Sequence, residues 1–230
     1  DFGLTWTARP GAVDFDANGA FRPGGREHPR ATGTLLAEDP SGATAYLYAA
    51  TATQGVRRSA DDGATWERVA LAGRHLRSIA LDPADPDVLY AAAYDGGLLV
   101  SRDARTGLTF TAVPGTPAVV EEIEFVGGTL YVAAGAAGVF AYDGAWRDLG
   151  LPDGPLWQSL TGRVDAVSGE TVLLVGCATP SGGHHTMRST DGGATWQSVS
   201  AGDGVTMHSE EYGTSTRWWA SDKSFLDPAG

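Results

Sequence analysis

The sequence contains the pattern Ser-x-Asp-x-Gly-x-Thr-Trp twice, as Ser59-Ala60-Asp61-Asp62-Gly63-Ala64-Thr65-Trp66 and as Ser189-Thr190-Asp191-Gly192-Gly193-Ala194-Thr195-Trp196. We call each copy a signature turn. Ser and Asp side chains bond backbone N–H groups in tight turns, and Gly adopts a backbone conformation that other residues resist. The closing Trp would open the next strand and fill the wedge between neighbouring sheets. These residues are therefore predicted to be scaffold: Ser59, Asp61, Gly63, Thr65, Trp66, Ser189, Asp191, Gly193, Thr195 and Trp196.

Three weaker copies extend the series. Ser101-Arg102-Asp103 leads through Gly107 to Thr109-Phe110 with two residues inserted, Tyr142-Asp143-Gly144-Ala145-Trp146 is shortened, and Asp1-Phe2-Gly3-Leu4-Thr5-Trp6 lacks its Ser. Asp1, Trp6, Asp103, Asp143 and Trp146 join the predicted scaffold. Most copies recur after about 40–50 residues, which is the period of four-stranded β-propeller blades.

The repeat predicts an all-β fold, a β-propeller of four-stranded antiparallel blades. We expect blades at approximately 31–70, 75–114, 120–149 and 157–200, with 1–7 as the outer strand of an earlier blade and 201–230 crossing into a later one. Because a propeller closes into a ring to remove exposed strand edges, residues 1–230 are expected to be part of a larger propeller. The other blades would come from further sequence or from a second chain, in a seven-bladed or two-propeller protein.

Composition excludes several functional classes. The 230 residues carry a formal net charge of −12, which disfavours binding to nucleic acids and anionic membranes. The one cysteine, Cys177, rules out an internal disulfide and is interpreted as a buried structural thiol. No stretch approaches the roughly 20 apolar residues of a membrane span.

The chain resembles the bacterial Asp-box (BNR) repeat proteins, including xyloglucanase-like glycosidases and sortilin-type receptor propellers. The resemblance rests on the signature turns, on Asp82-Pro83-Ala84-Asp85-Pro86 followed by Tyr90, and on the strand Gly97-Leu98-Leu99-Val100-Ser101-Arg102-Asp103. It covers nearly the whole chain at the level of blades. It implies a secreted or extracellular protein, or a periplasmic one, that acts on carbohydrate or another extracellular ligand. In such families the signature turn lies away from the ligand.

Strand topology separates two faces. The turn face carries the signature turns and the turns between first and second strands; the crossing face carries the second-to-third loops and the crossings between blades. Insertions and functional residues should collect on the crossing face. All five histidines map there, namely His28, His75, His184, His185 and His208. They form either a functional cluster or ordinary polar loop surface.

The leading functional hypothesis is polysaccharide hydrolysis by carboxylates on opposing crossings. The candidate acids are Glu121, Glu122, Glu210 and Glu211, with His208 and Tyr212 as further catalytic candidates. Sugar rings could stack on exposed aromatic residues, although Trp218 and Trp219 could equally start a strand with one ring buried. The predicted ligand-binding residues are His28, His75, Arg77, Trp157, His184, His185, Arg217 and Trp218.

Two alternatives stay open. A propeller presents a broad face and could be a non-catalytic recognition or assembly scaffold. A polysaccharide lyase or another metal-aided enzyme could use His208, Tyr212 and Arg217 with His184 or His185, because histidines with carboxylates bind metals or act as acid and base. No organic cofactor is predicted, and a metal ion held by the loop histidines is the one cofactor considered.

Overall fold

The computed structural model describes residues 36–39, 46–51, 54–93, 96–151, 156–178, 184–199, 206–212 and 215–221. Within these ranges every regular element is a β-strand, and no helix that could cross a membrane is present there. The predicted outer strand at 1–7, with Asp1 and Trp6, and the candidate His28 lie outside the described residues.

Sixteen of the strands form four antiparallel sheets in chain order. Sheet A contains β1 (Leu36–Asp39), β2 (Tyr46–Thr51), β3 (Gly55–Ser59) and β4 (Glu67–Ala70). Sheet B contains β5 (Leu76–Leu81), β6 (Leu89–Ala93), β7 (Gly97–Ser101) and β8 (Phe110–Ala112). Sheet C contains β9 (Glu122–Val126), β10 (Thr129–Ala133), β11 (Val139–Tyr142) and β12 (Trp146–Asp148). Sheet D contains β13 (Leu156–Val164), β14 (Thr171–Ala178), β15 (His184–Ser189) and β16 (Gln197–Val199). The predicted fold class is confirmed.

The tail, which the sequence predicted to cross into a later blade, contains a hairpin. Strands β17 (Thr206–Tyr212) and β18 (Ser215–Ser221) pair antiparallel, and β17 lies beside β13. Residues expected in a crossing, including His208 and Glu210, are therefore in a strand. β-Branched and aromatic residues in β18, such as Thr216, Trp218 and Trp219, favour pairing over a loop.

The core lies between successive sheets. Tyr48 and Ala50 of sheet A pack against Ile79 and Ala91 of sheet B. Equivalent apolar clusters fill the spaces between sheets B and C and between sheets C and D. Cys177 is buried in the last of these, which confirms its interpretation as a structural thiol.

The two full signature turns have the predicted hydrogen bonds. In the first, Ser59 Oγ accepts the Gly63 N–H at 2.9 Å and Asp61 Oδ1 accepts the Thr65 N–H at 2.7 Å. In the second copy the corresponding distances are 2.8 and 2.9 Å. Gly63 and Gly193 have φ of 76° and 88°, a left-handed conformation that favours glycine.

The weaker copies keep the central bond of this turn. Asp103 Oδ1 accepts the Thr109 N–H at 2.7 Å despite the insertion. In the shortened copy Asp143 Oδ1 accepts the Ala145 N–H at 3.4 Å. One aspartate thus organises each described turn.

Two closing tryptophans tie sheets C and D to the sheets before them. The Trp146 indole donates to Pro114 O at 2.9 Å, just beyond β8, and the Trp196 indole donates to Leu149 O at 2.9 Å, just beyond β12. These two bonds join the start of the outer strand of one sheet to the segment that follows the outer strand of the sheet before it.

Candidate functional site

Hydrogen bonds identify the two faces of the structure. On the turn face, the Ala104 N–H donates to Asp87 O, which joins the turn after β7 to the turn after β5. On the crossing face, Gly135 and Trp157 form an isolated antiparallel bridge that joins the loop after β10 to the start of β13. First strands start at the crossing face, as the sequence predicted.

The first strands of successive sheets lie side by side and form an inner wall. Ile79, Ile123 and Leu160 occupy equivalent positions on this wall, because each packs on the preceding sheet and pairs with the second strand of its own sheet. The residues just before them are also equivalent. These three are Ser78, Glu122 and Ser159.

The side chains of Ser78 and Glu122 accept backbone N–H groups on the inner edge of the first strand of the next sheet. The Ile123 N–H donates to Ser78 Oγ at 3.4 Å, and the Leu160 N–H donates to Glu122 Oε2 at 2.9 Å. An uncovered strand edge exposes unpaired N–H groups. Glu122 is therefore a buried structural acceptor, which removes the main reason for placing it in catalysis.

Glu124 reaches the same edge two residues further along. Its Oε1 accepts the Thr161 hydroxyl at 3.3 Å and the Gly162 N–H at 3.4 Å. Burial raises the pKa of the Glu124 carboxyl from 4.5 to about 7, and the hydrogen bonds from Gly162 and Thr161 only partly oppose this. Such a carboxyl exchanges a proton near neutral pH, as a general acid or base requires.

Glu124 lines an open groove of about 230 Å³ on the inner wall. Three consecutive residues from each of β1, β5 and β9, the first strands of sheets A, B and C, line the groove. Glu38 of β1 is the other acidic residue in this lining. Its remaining lining is apolar: Leu36, Ala37, Ile79, Ala80, Leu81, Ile123 and Phe125. An apolar groove with a few polar groups is the usual form of a small-ligand site.

Arg77 and Glu121 form a buried ion pair, with side chains 9% and 7% exposed. The pair joins sheets B and C near the crossing face. Arg77, a predicted ligand-binding residue, lies within β5, where the pairing register shifts between Leu76 and Ser78. Because both charges are buried and paired, they stabilise the sheet interface and are not positioned to meet an open ligand.

Trp157 was predicted to be exposed, and this prediction was wrong. It is 1% exposed and packs between sheets C and D. The register of β13 shifts between Trp157 and Ser159, and such a bulge changes the side of the sheet that a residue faces. Trp157 is thus a core residue rather than a sugar platform.

The histidines do not converge in the described part of the chain. His75 is half-buried in the crossing before β5. His184 and His185 begin β15 instead of ending a loop, paired with Ala178 and Cys177. Across the described residues no group of three or more His, Cys, Asp or Glu is arranged to hold a metal ion.

The remaining candidates are placed only by their strands. His208, Glu210, Glu211 and Tyr212 are in β17, whereas Arg217 and Trp218 are in β18. Glu210 pairs with Arg217, and Glu211 pairs with Thr216. The hairpin brings all six residues to one two-stranded sheet beside β13.

A second polar cluster joins sheets A and B on the turn face. Arg105, in the turn after β7, pairs with Asp39 through its NH2 group at 2.6 Å. Arg58 donates to the carbonyls of Ala104 and Arg105 and pairs with Glu67 at 3.2 Å. Both arginines bind protein groups, so the cluster holds sheets A and B together.

Glu124 was not among the candidates predicted from the sequence, because it belongs to no motif and stands between two ordinary strand residues, Ile123 and Phe125. A signal was present: the equivalent inner-wall positions hold Ala80 and Thr161. A glutamate among smaller residues at this level stands out only after the sheets have been aligned.

Comparison with solved structures places the fold among β-propellers. The chain is similar to the GH74 xyloglucanase from Xanthomonas campestris, with a TM-score of 0.57 and 22% identity over 73% of this chain and 30% of that one. It is similar to an ancestral GH74 enzyme, with a TM-score of 0.63 and 16% identity over 83% of this chain and 29% of that one. It is also similar to BBS1N in complex with ARL6DN, with a TM-score of 0.58 and 18% identity over 83% of this chain and 58% of that one.

The chain spans less than a third of the length of the two GH74 enzymes. No protein-family model and no curated protein matches the sequence. These comparisons establish the β-propeller fold.

Proposed function

We propose that this chain belongs to a glycan-active β-propeller that hydrolyses a polysaccharide, with Glu124 as the proton-donating acid in the inner-wall groove. The observation that carries the proposal is the Glu124 carboxyl, whose pKa is raised to about 7 by burial where it lines an open groove. The likeness of the fold to GH74 enzymes supports the choice of substrate class.

Glycoside hydrolysis needs a carboxyl that is still protonated near neutral pH and can protonate the leaving oxygen. Glu124 meets this condition, and the Gly162 and Thr161 donors hold one of its oxygens in place. The second carboxyl of the pair would be Glu38, which is exposed and lines the same groove. Phe125, Leu81 and Leu36 offer apolar surface to the C–H faces of a sugar ring.

The proposal also assigns the chain to the Asp-box (BNR) repeat group and to a secreted or periplasmic location. Its support is the repeated Ser-x-Asp-x-Gly-x-Thr-Trp pattern together with the hydrogen bonds common to its copies. Export of the full-length protein from a bacterial host, followed by fractionation, tests the location.

Turnover on a panel of polysaccharides tests the catalytic role. Glu124→Gln should lower kcat at least about 100-fold, because loss of a general acid removes 10²–10⁴-fold of rate. Glu170→Gln is the matched control, since Glu170 is exposed in the turn between β13 and β14. Full turnover in Glu124→Gln, beside an active wild type, would exclude Glu124 as the acid.

A recognition scaffold is the second candidate, favoured by the likeness to BBS1N, a propeller whose structure was solved in complex with another protein. The buried pairing of Arg77 with Glu121 also suits a rigid scaffold. Calorimetric titration with the same polysaccharides separates the two functions. Absence of both binding and turnover across the panel would favour the scaffold.

Further blades are proposed as the structural partner, from additional sequence or a second chain, because a closed ring protects its strand edges. The native mass of the purified particle tests this. A mass above that of the 230-residue chain indicates association, whereas a monomer mass with full activity would contradict a need for a second chain.

A further inference from the structure

The inner edge of β9 carries two backbone N–H groups that point away from its own sheet. The Ile123 N–H is the first, since it donates to Ser78 Oγ of sheet B at 3.4 Å. N–H groups on one edge of an antiparallel strand recur at every second residue, so the Phe125 N–H is the second. Ser78 covers the first donor, and a side chain two residues after Ser78 would be needed to cover the second.

In the joint between sheets C and D, side chains cover both donors of the inner edge. Glu122 Oε2 accepts the Leu160 N–H at 2.9 Å, and Glu124 Oε1 accepts the Gly162 N–H at 3.4 Å. The two glutamates are two residues apart in β9, and so are the N–H groups that they cover in β13. One side chain for each donor therefore closes this edge.

Ala80 holds the position in sheet B from which Glu124 acts in sheet C. Ala80 lies two residues after Ser78, and it pairs with the second strand of its sheet at the same level as Glu124 does. The methyl group of an alanine accepts no hydrogen bond. The Phe125 N–H therefore lies where the covering side chain is too short to reach it.

The joint between sheets A and B repeats this arrangement. A second alanine, Ala37, holds the equivalent position in β1. The Asp82 N–H donates to Val88 O within sheet B, so the N–H of the preceding residue, Leu81, points to the inner edge. Ala37 cannot cover this donor, because it too ends in a methyl group.

The inner-wall groove lies over these two joints. Its lining contains Ala37 and Ala80, and it also contains Leu81 and Phe125, which carry the two donors. The lining ends at sheet C, where Glu124 covers the next edge. The two alanines therefore open the groove and leave two backbone donors along it.

The charges of the groove decide which acceptor suits these donors. The charged residues of its lining are Glu38 and Glu124, and an ionised carboxylate repels an anionic ligand. A hydroxyl oxygen accepts a hydrogen bond without carrying charge. The apolar side chains of Ile79, Leu81 and Phe125 suit the C–H faces of a sugar ring.

We propose that the backbone N–H groups of Leu81 and Phe125 bind hydroxyl oxygens of a sugar chain, and that Ala80 keeps this subsite open. The inference rests on the proposed glycan-active function, which it extends by naming the contacts that hold the sugar. Ala80 is a specificity-determining residue in this arrangement, because a longer side chain with an acceptor would take the place of the sugar hydroxyl.

Calorimetric titration with xyloglucan, cello-, xylo- and manno-oligosaccharides tests the subsite. Ala80→Gln and Ala80→Glu each place an acceptor where Glu124 stands in the next sheet. Both variants should bind the oligosaccharide that the wild type prefers at least about ten-fold more weakly. Ala112→Glu is the matched control and should bind like the wild type, since Ala112 is exposed in the outer strand of the same sheet.

Amide exchange followed by NMR gives a second readout that needs no glycan. In the wild type the protection factor of the Phe125 amide should be at least about ten-fold below that of the Leu160 amide, which Glu122 covers. Ala80→Gln should raise the protection of Phe125 at least about five-fold. A Phe125 amide that is protected as strongly as Leu160 in the wild type would overturn the proposal.

The binding results separate this subsite from catalysis by Glu124. Turnover by a wild type whose affinity is unchanged in both Ala80 variants would keep the hydrolase and remove the subsite. Binding without turnover, weakened in both variants, would support the subsite and contradict hydrolysis. Loss of affinity in Ala80→Glu alone would indicate charge repulsion and overturn the proposal, as would a wild type that binds none of the oligosaccharides.

Discussion

Glu122 Oε2 accepts the Leu160 N–H at 2.9 Å across the gap between two sheets, and both residues are buried. This bond satisfies a strand edge that has no neighbouring strand on its inner side. The Glu122 side chain therefore stabilises the inner wall, and its Oε2 atom is already occupied by the Leu160 N–H.

Replacement of Glu122 by Ala should lower the free energy of unfolding by about 1–3 kcal/mol, because the Leu160 N–H is left buried without its acceptor. Glu122→Gln keeps an amide oxygen as acceptor and should lose less. Urea denaturation of both variants measures the difference. Equal stability of the wild type and the Ala variant would show that the edge bond is not needed.

The Arg77–Glu121 pair should behave as a unit. Arg77→Met or Glu121→Leu alone should cost about 3–5 kcal/mol, because each leaves a buried charge unpaired, whereas the double variant should lose much less than the sum. A double-mutant cycle from denaturant melts measures the coupling. Additive losses would mean that the two charges are stabilised by other groups.

Ionisation of Glu124 should make stability depend on pH. The folded pKa of about 7 lies above the ordinary 4.5, so the stabilising contribution is fully present below pH 4.5 and is lost as pH rises through about 7. The change should be on the order of 1–3 kcal/mol. Free energies of unfolding of wild type and Glu124→Gln across this window measure it, and the Gln variant should give the flatter curve.

Thr161→Val provides the companion test for Glu124. The Thr161 hydroxyl bond lowers the pKa of Glu124, so its removal should move the carboxyl titration to still higher pH, as followed by carbon NMR. A wild-type carboxyl that titrates at its ordinary value would contradict burial as the controlling influence.

The signature turns should weaken in acid. Hydrogen bonds from the Thr195 hydroxyl, the Thr195 N–H and Ser189 lower the pKa of Asp191 from 3.8 to about 2. The stability that these bonds provide is present above pH 3.8 and is lost as pH falls through about 2. Asp191→Asn should therefore lower Tm at neutral pH and shrink the difference from wild type near pH 2.

Asp62→Asn is the control for the acid test, since Asp62 is an exposed carboxylate within the other signature turn. Its Tm should follow that of the wild type throughout the acid range. Thermal melts at intervals between pH 2 and neutrality measure the Tm of each protein. If the Tm of Asp191→Asn and the Tm of the wild type fall equally in acid, the prediction is wrong.

Local patterns predicted the features that depend on short segments of chain. The turn around Asp61 uses residues within one octapeptide, so its hydrogen bonds follow from the sequence. In β5 (Leu76–Leu81), the apolar and β-branched residues likewise favour a strand over a few positions. Turn chemistry and strand alternation are both encoded over a few positions.

Features that depend on register were not accessible in this way. Trp157 and Arg77 both lie where a bulge shifts the pairing of a first strand, and a shift of one residue moves a side chain to the opposite face. The raised pKa of Glu124 depends on burial against β13, far along the chain. Neither the register shifts nor the raised pKa can be predicted from the residues adjacent to these positions in the sequence.

The edge bonds from Ser78 and Glu122 also bear on how such a protein could change size during evolution. In each bond the accepting side chain lies in the earlier sheet and the donating N–H lies in the next sheet along the chain, and the two contacting positions recur at the same register. A gene deletion that removed one whole unit would bring Ser78 to the Leu160 N–H, with a new bond in place of the two lost. Duplication would likewise supply every inserted unit with both halves of the contact, so that the number of units can vary while the joint between them stays the same.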